Sequence, residues 1–233
     1  DTNKSEEGIV KVSYNGINKK TKVMVEKGLE KYYYDLKKED DYFPLQFGQG
    51  DYTVAVLENT SGNKYKVLGK RTFKADIKDE NAVYLKSAQP VIWNGNMKAI
   101  KFAKTLLEDK KTSIEVVQAI YEYIVNNVKY DYQNMDKLKS DYIPDIDKII
   151  KSGKGICYDY SVLLAAMLRS CNIPTKLVKG YKDDIKEYHA WNEVYIDGDW
   201  IVVDPTYDAW ALKNGISYSM EKDAKLYEKL KEY

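Results

Sequence analysis

The hydrophobic pattern of this 233-residue sequence changes its period near residue 97. Before that point, short alternating segments are separated by turn residues, as in the hairpin-like pair Gly50–Glu58 and Tyr65–Lys70 around Ser61-Gly62-Asn63, which is typical of β-strands. From Met97 onward, apolar residues recur at helical spacing, and Thr112-Ser113-Ile114-Glu115 has the form of a capping box that opens a helix. The sequence therefore predicts an α+β protein whose strand-rich part comes first.

The domain organisation follows from this change of period. We predict a flexible leader over residues 1–7, a small all-β domain over 8–86, a linker over 87–96 and a main domain over 97–233. Several short strands at this spacing favour an immunoglobulin-like sandwich for the first domain. A sheet extension of the main domain is the alternative.

The main domain is predicted to combine helices with an antiparallel sheet. A helix is expected from about Cys157 to Arg169. The predicted elements that follow are strands at Thr175–Tyr181, Tyr188–Ile196 and Trp200–Asp204, and an amphipathic helix at Glu221–Tyr233. The tight turn Asp197-Gly198-Asp199 makes the last two strands a hairpin.

Charge and hydrophobicity narrow the classes of partner. The 37 basic and 36 acidic residues give a net charge of +1, so no basic excess points to nucleic acid or an anionic membrane. The strongly apolar run Val162–Leu168 is too short for a transmembrane segment. The polar start Asp1–Glu7 resembles that of an exported protein after signal removal, so we expect a secreted or cell-surface location.

The two cysteines are expected to be free thiols. If the segment between Cys157 and Cys171 is mostly helical, its rise separates them by roughly 20 Å, whereas a disulfide needs Cα atoms within about 7 Å. Cys171 is expected to be a small buried hydrophobe.

Cys157, His189 and Asp204 form the pattern that carries chemistry. A thiol becomes a good nucleophile when it is deprotonated, and a helix N-terminus together with a nearby imidazolium favours the thiolate. His189 is the single histidine of the sequence and hence the obvious general base. The predicted hairpin brings Asp204, 15 residues further on, beside His189, where a carboxylate would orient the imidazole.

Together these motifs resemble the transglutaminase-like superfamily. The resemblance rests on Gly155-x-Cys157 at a helix start, His189-x-Trp191 on a strand and Asp204-Pro205-Thr206 at the next strand end, and it covers roughly residues 97–210. It implies a papain-like core, in which the helix that begins with cysteine packs on an antiparallel sheet. It also implies Cys157 as nucleophile, His189 as base and Asp204 as orienting residue. Tyr130 is the candidate for the oxyanion hole.

The implied reaction is acyl transfer through a thioester on Cys157, with no cofactor and no metal. We expect hydrolysis of an amide bond in a protein or cell-wall peptide. Protein cross-linking by transamidation and a non-catalytic binding scaffold are the alternatives. The sequence leaves the oligomeric state open.

Overall fold

The computed structural model describes residues 1–16, 20–135 and 138–233. The chain divides into two compact units, Asp1–Gln89 and Pro90–Tyr233. The α+β class is confirmed, because the described chain combines helices with antiparallel sheets.

The first unit is built from antiparallel strands. Its described strands are β1 (Ile9–Ser13), β2 (Thr21–Lys27), β3 (Glu30–Asp35), β4 (Asp40–Pro44), β5 (Gly50–Ser61) and β6 (Lys64–Ala75). One sheet has the order β3-β2-β5-β6, and β1 pairs with β4. The immunoglobulin-like architecture stays a prediction.

The hairpin of β5 and β6 contains a register shift that the alternating pattern does not predict. Tyr52 and Val54 are buried on β5, as expected from their spacing. The pairing shifts between Val56 and Leu57, and Leu57 is buried whereas Val56 is only partly buried. Such an irregularity changes which residues face the core.

The predicted leader takes up defined structure against β1. Ser5–Glu7 forms a short 3-10 helix, and the terminal ammonium of Asp1 donates a hydrogen bond of 2.7 Å to the carbonyl of Lys11. Ser5 is buried. The segment therefore packs with the strands of the first unit.

The second unit combines helices with a five-stranded antiparallel sheet. The helices are α1 (Lys98–Thr105), α2 (Ser113–Asn127), α3 (Ile146–Ser152), α4 (Cys157–Ser170) and α5 (Pro205–Lys213). The strands are β7 (Lys129–Tyr130), β8 (Lys154–Gly155), β9 (Thr175–Lys182), β10 (Ile185–Ile196), β11 (Asp199–Val203), β12 (Glu221–Lys222) and β13 (Tyr227–Glu232). The sheet order is β12-β11-β10-β9-β13, and β7 pairs with β8 in parallel.

Helix α4 lies at the centre of the core of the second unit. Its residues from Val162 to Leu168 have no exposed surface. The amide of Asn192 on β10 donates to the carbonyls of Ser161 on α4, at 2.9 Å, and Lys176 on β9, at 3.0 Å. A buried amide that bonds both elements holds the helix in place on the sheet.

The prediction of a helix at Glu221–Tyr233 is wrong. This segment forms β12, a short 3-10 helix at Ala224–Leu226 and β13, and β13 pairs with β9. Leu226 and Leu230, the expected apolar face, are 41% and 51% exposed. The free edge of β9 offers backbone partners that outweigh the weak helical pattern.

Among the residues described, no helix is long and apolar enough to cross a membrane.

Candidate active site

Cys157 is the first residue of α4. Gly155, two residues earlier, leaves room for the close approach of Asp159 from the first turn of this helix. A Cβ atom on Gly155 would lie 2.6 Å from Cβ of Asp159, closer than real side chains come. The carboxylate of Asp159 instead accepts the backbone N–H of Ile156 at 2.8 Å. The N–H of Cys157 has no acceptor within the helix, because the first turn of a helix offers none. Cys157 is a partly buried free thiol.

His189 and Asp204 meet where the hairpin of β10 and β11 ends. The pairing of β10 with β11 ends at Asn192 and Val203, so His189 and Asp204 lie just beyond the same end of this ladder. Nε2 of His189 lies 2.7 Å from Oδ2 of Asp204. The other oxygen, Oδ1, accepts the N–H of Tyr207 at 3.0 Å and so caps α5. Asp204 is therefore fixed by the helix that it begins.

Cys157 lies close enough to His189 to contribute to the raised pKa of its imidazole. Since Nε2 faces Asp204, Nδ1 is the ring nitrogen left for the sulfur. Burial lowers the pKa of His189, but the charge and hydrogen bond of Asp204, followed by those of Cys157, outweigh burial and raise it to about 10. An imidazole with this pKa is protonated at neutral pH. The arrangement can therefore hold an imidazolium between a thiol sulfur and a carboxylate.

Tyr130, the candidate for the oxyanion hole, lies near Cys157. It is paired with Gly155 in the short parallel ladder of β7 and β8. Burial raises its pKa, and the charge of Cys157 contributes to this shift. Its hydroxyl donates to Sδ of Met135 at 3.5 Å. The hydroxyl would have to leave this acceptor to reach an oxyanion beside the sulfur.

Tyr227 on β13 contacts the same carboxylate, and the sequence did not point to it. Its hydroxyl donates to Oδ2 of Asp204 at 3.2 Å. Its ring packs against that of Trp191, with 5.1 Å between ring centroids. The segment was predicted to be a helix, and the contact depends on its being a strand.

Lys179 on β9 is the second residue that sequence reasoning missed. Its ammonium lies 3.4 Å from the ring centroid of Tyr158, the residue that follows Cys157. Burial lowers the pKa of Lys179 to about 8, whereas the charge of Cys157 opposes this shift. No motif signals Lys179, because its position follows from the pairing of β9 with β10.

A second buried carboxylate lies one helical turn after Asp204. Asp208 accepts a hydrogen bond of 2.6 Å from the hydroxyl of Tyr121 and forms an ion pair with Lys222. Burial raises its pKa to about 6 against the opposing effect of these partners. Asp208 thus ties α5 to α2 and to β12, beside the helix start that holds Asp204.

A helix that begins with a thiol, packed on an antiparallel sheet with His189 and Asp204 at a strand end, is the arrangement that the resemblance to the transglutaminase-like superfamily implied. Residues 100–205 match the family model of the transglutaminase-like superfamily. This part of the chain therefore carries a transglutaminase-like core, and the resemblance drawn from the sequence is confirmed. No group of three or more potential metal ligands occurs in the part of the chain that the structure describes.

Curated relatives match part of the chain. A UPF0252 protein of Methanocaldococcus jannaschii is 34% identical over 107 residues, which are 42% of this chain and 30% of that protein. The kyphoscoliosis peptidase of Homo sapiens is 30% identical over 112 residues, which are 44% of this chain and 17% of that protein. The chain thus spans less than a third of the length of these two relatives.

Among solved structures, the periplasmic domain of TgpA from Pseudomonas aeruginosa is similar, with a TM-score of 0.46 and 15% identity. The match covers 82% of this chain and 90% of that domain. The red sea bream transglutaminase gives a TM-score of 0.36 and 12% identity over 85% of this chain and 48% of the fish protein.

Proposed function

We propose that this protein is a cysteine-dependent acyl-transfer enzyme that hydrolyses an amide bond in a protein or cell-wall peptide. The proposal rests on one observation: Nε2 of His189 lies 2.7 Å from Oδ2 of Asp204, and Cys157 is close enough to the same imidazole to raise its pKa. Cys157 is proposed as nucleophile, His189 as acid and base, and Asp204 as orienting residue. A secreted or cell-surface location goes with such a substrate and stays a prediction.

In the proposed acylation step, His189 starts as a protonated imidazole beside Cys157. The raised pKa of His189 favours an imidazolium beside the sulfur, and a thiolate is the reactive form of cysteine. The sulfur adds to the carbonyl carbon of the amide, and the carbonyl oxygen takes up negative charge. The N–H of Cys157 and the hydroxyl of Tyr130 are the proposed donors to this oxyanion. His189 then gives its proton to the nitrogen, the C–N bond breaks, and an amine leaves.

Deacylation uses the neutral imidazole that remains. His189 takes a proton from water, and the hydroxide adds to the thioester carbonyl. The C–S bond then breaks, which releases a carboxylic acid and returns Cys157 and the protonated His189 to their starting state. An amine in place of water would give a new amide, which is the cross-linking reaction. One relative is named a peptidase, which supports hydrolysis for this chain.

Alkylation of the two thiols tests the proposed nucleophile. We expect iodoacetamide to modify Cys157 at least tenfold faster than Cys171 near pH 7, because burial raises the pKa of Cys171. The variant His189→Ala should lose this difference, since no second histidine exists to replace it. Equal, slow labelling of both thiols in the wild-type protein would contradict the catalytic function and favour a scaffold.

A fluorescent primary amine separates the two reactions. With a glutamine-containing protein as donor, hydrolysis releases ammonia or a peptide without incorporating the amine. Incorporation that is lost in Cys157→Ala would identify a cross-linking enzyme instead. Cys171→Ala is the matched control and should behave like the wild-type protein in both assays.

A further inference from the structure

Lys179 lies beside the proposed nucleophile through the pairing of two strands. On β9 it is opposite Ala190 of β10, the residue that follows His189. Its ammonium rests 3.4 Å from the ring centroid of Tyr158, which follows Cys157, and 5.6 Å from that of Tyr233. The backbone of Lys179 is thus one position away from the residue that pairs with His189, and its ammonium contacts the ring of the residue that follows Cys157.

The ammonium of Lys179 differs from other ammonium groups of this sheet. Within the described residues, it has no carboxylate at salt-bridge distance, and the charges that act on it come from Cys157 and Lys231. Four lysines on the sheet strands form salt bridges with carboxylates: Lys176, Lys182, Lys222 and Lys229. Lys179 therefore has no carboxylate partner among the described residues, and the charge of Cys157 is the one that favours its protonated form.

Aromatic faces hold this charge without neutralising it. A cation over a tyrosine ring is attracted by the ring, but the net charge of the site remains positive. Burial disfavours the charged form of Lys179 and lowers its pKa to about 8, so at neutral pH the side chain is still mostly protonated. A bound anion would pair with this ammonium, and their attraction would be weakly screened because the site is partly desolvated.

We propose that Lys179 forms a subsite that binds a carboxylate of the substrate next to the carbonyl attacked by Cys157. The inference rests on the proposed function, because the subsite has meaning only if Cys157 reacts with a substrate. Lys179 would contact the substrate and select acidic sequences around the cleaved amide. The tyrosine rings would keep its ammonium turned toward the bound chain.

Two alkylating reagents of nearly equal size test this subsite. Iodoacetate carries a carboxylate one carbon from the reacting centre, whereas iodoacetamide is neutral. We expect Lys179→Met to lower the iodoacetate-to-iodoacetamide rate ratio at Cys157 about fivefold, as for the loss of one partly screened charge contact. Lys179→Arg should keep the ratio within about twofold of the wild-type value, since it keeps the charge.

Lys176→Met is the matched control, because Lys176 lies on the same strand and is paired with Glu232. It should leave the ratio unchanged. An unchanged ratio in Lys179→Met, or an equal slowing of both reagents, would overturn the subsite while Cys157 remains reactive. Slow reaction with both reagents in the wild-type protein would instead mark failure of the proposed function itself.

Competition then identifies the source of the carboxylate. N-acetylglycine has a chain-end carboxylate, and the α-amide of N-acetylaspartate has only a side-chain carboxylate. The competitor that slows iodoacetamide in the wild-type protein, but not in Lys179→Met, identifies the group that the subsite prefers. Slowing by either one supports the subsite, and equal slowing in both proteins contradicts it.

Discussion

The hydroxyl of Tyr227 donates to Oδ2 of Asp204 at 3.2 Å, and this oxygen also lies 2.7 Å from Nε2 of His189. Tyr227 belongs to the C-terminal strand, outside residues 100–205, which match the family model. A hydroxyl and an imidazole that share one oxygen fix both the position and the direction of the carboxylate. The tail of this chain is therefore part of the environment of the candidate site.

Replacement of Tyr227 by phenylalanine should slow the reaction of Cys157 with iodoacetamide about fivefold at pH 7. The variant removes a hydrogen bond worth about 1 kcal/mol and loosens the carboxylate that orients His189. The phenylalanine ring keeps the packing against Trp191, so the fold should survive. Rates measured between pH 6 and 10 would reveal a changed pH profile, which lost stability alone would not produce.

Tyr52→Phe is the control for Tyr227→Phe. Tyr52 is a fully buried tyrosine of the first unit whose hydroxyl donates to the carbonyl of Leu45. Its variant should lose stability without changing the rate or the pH profile of Cys157. Identical profiles for Tyr227→Phe and the wild-type protein would exclude a positioning role for Tyr227.

The ion pair of His189 and Asp204 should make stability depend on pH. The pKa of His189 is about 10 in the folded protein and about 6.5 when unfolded. Because the folded value is the higher one, the stabilisation is fully present below pH 6.5 and is lost as pH rises through 10. The free energy of unfolding of the wild-type protein, relative to that of His189→Gln, should thus fall by on the order of 4 kcal/mol between pH 6 and pH 10.

Urea denaturation of both proteins at several pH values measures this difference directly. The comparison with His189→Gln cancels the titration of groups that the two proteins share. A difference in the free energy of unfolding that stays constant from pH 6 to pH 10 would mean that His189 is not held as an imidazolium.

Substitution of Gly180 by alanine should displace β13. A Cβ atom at this position would lie 1.9 Å from the backbone oxygen of Glu228 and 3.0 Å from the ring of Trp191. Backbone cannot move aside as a flexible side chain can, so we expect a loss of about 1–3 kcal/mol in the free energy of unfolding. Alkylation of Cys157 should slow as well, since the displacement carries Tyr227 away from Asp204.

Gly69→Ala provides the matched control, because Gly69 also lies on a strand and no atom lies within 4 Å of the added carbon. It should unfold like the wild-type protein. If Gly180→Ala is as stable as Gly69→Ala, then β13 does not pack on β9 as described.

Local patterns predicted much of the second unit. The capping box at Thr112 opens α2, and Gly155 precedes the start of α4, as expected. His189 and Asp204 were predicted to be neighbours, because only the hairpin at Asp197-Gly198 separates them. Such features depend on residues close in sequence, and local backbone preferences determine them.

The C-terminal segment could not be predicted in this way. Leu226 and Leu230 are four residues apart, which fits one face of a helix and also, equally well, one face of a strand. The outcome depended on the free edge of β9, whose residues lie more than 40 positions earlier in the chain. A sequence pattern does not reveal which distant backbone groups need partners.

The sequence by itself determined the chemical identities of the candidate site and its local framework: a thiol at a helix start, and an imidazole and a carboxylate on one hairpin. The tertiary structure alone decided what surrounds them. It brought Tyr227 to Asp204 through the pairing of β13 with β9, and Lys179 to Tyr158 through the packing of the sheet on α4. These contacts join residues far apart in sequence, so they arise only when burial and backbone pairing of the whole unit are satisfied together.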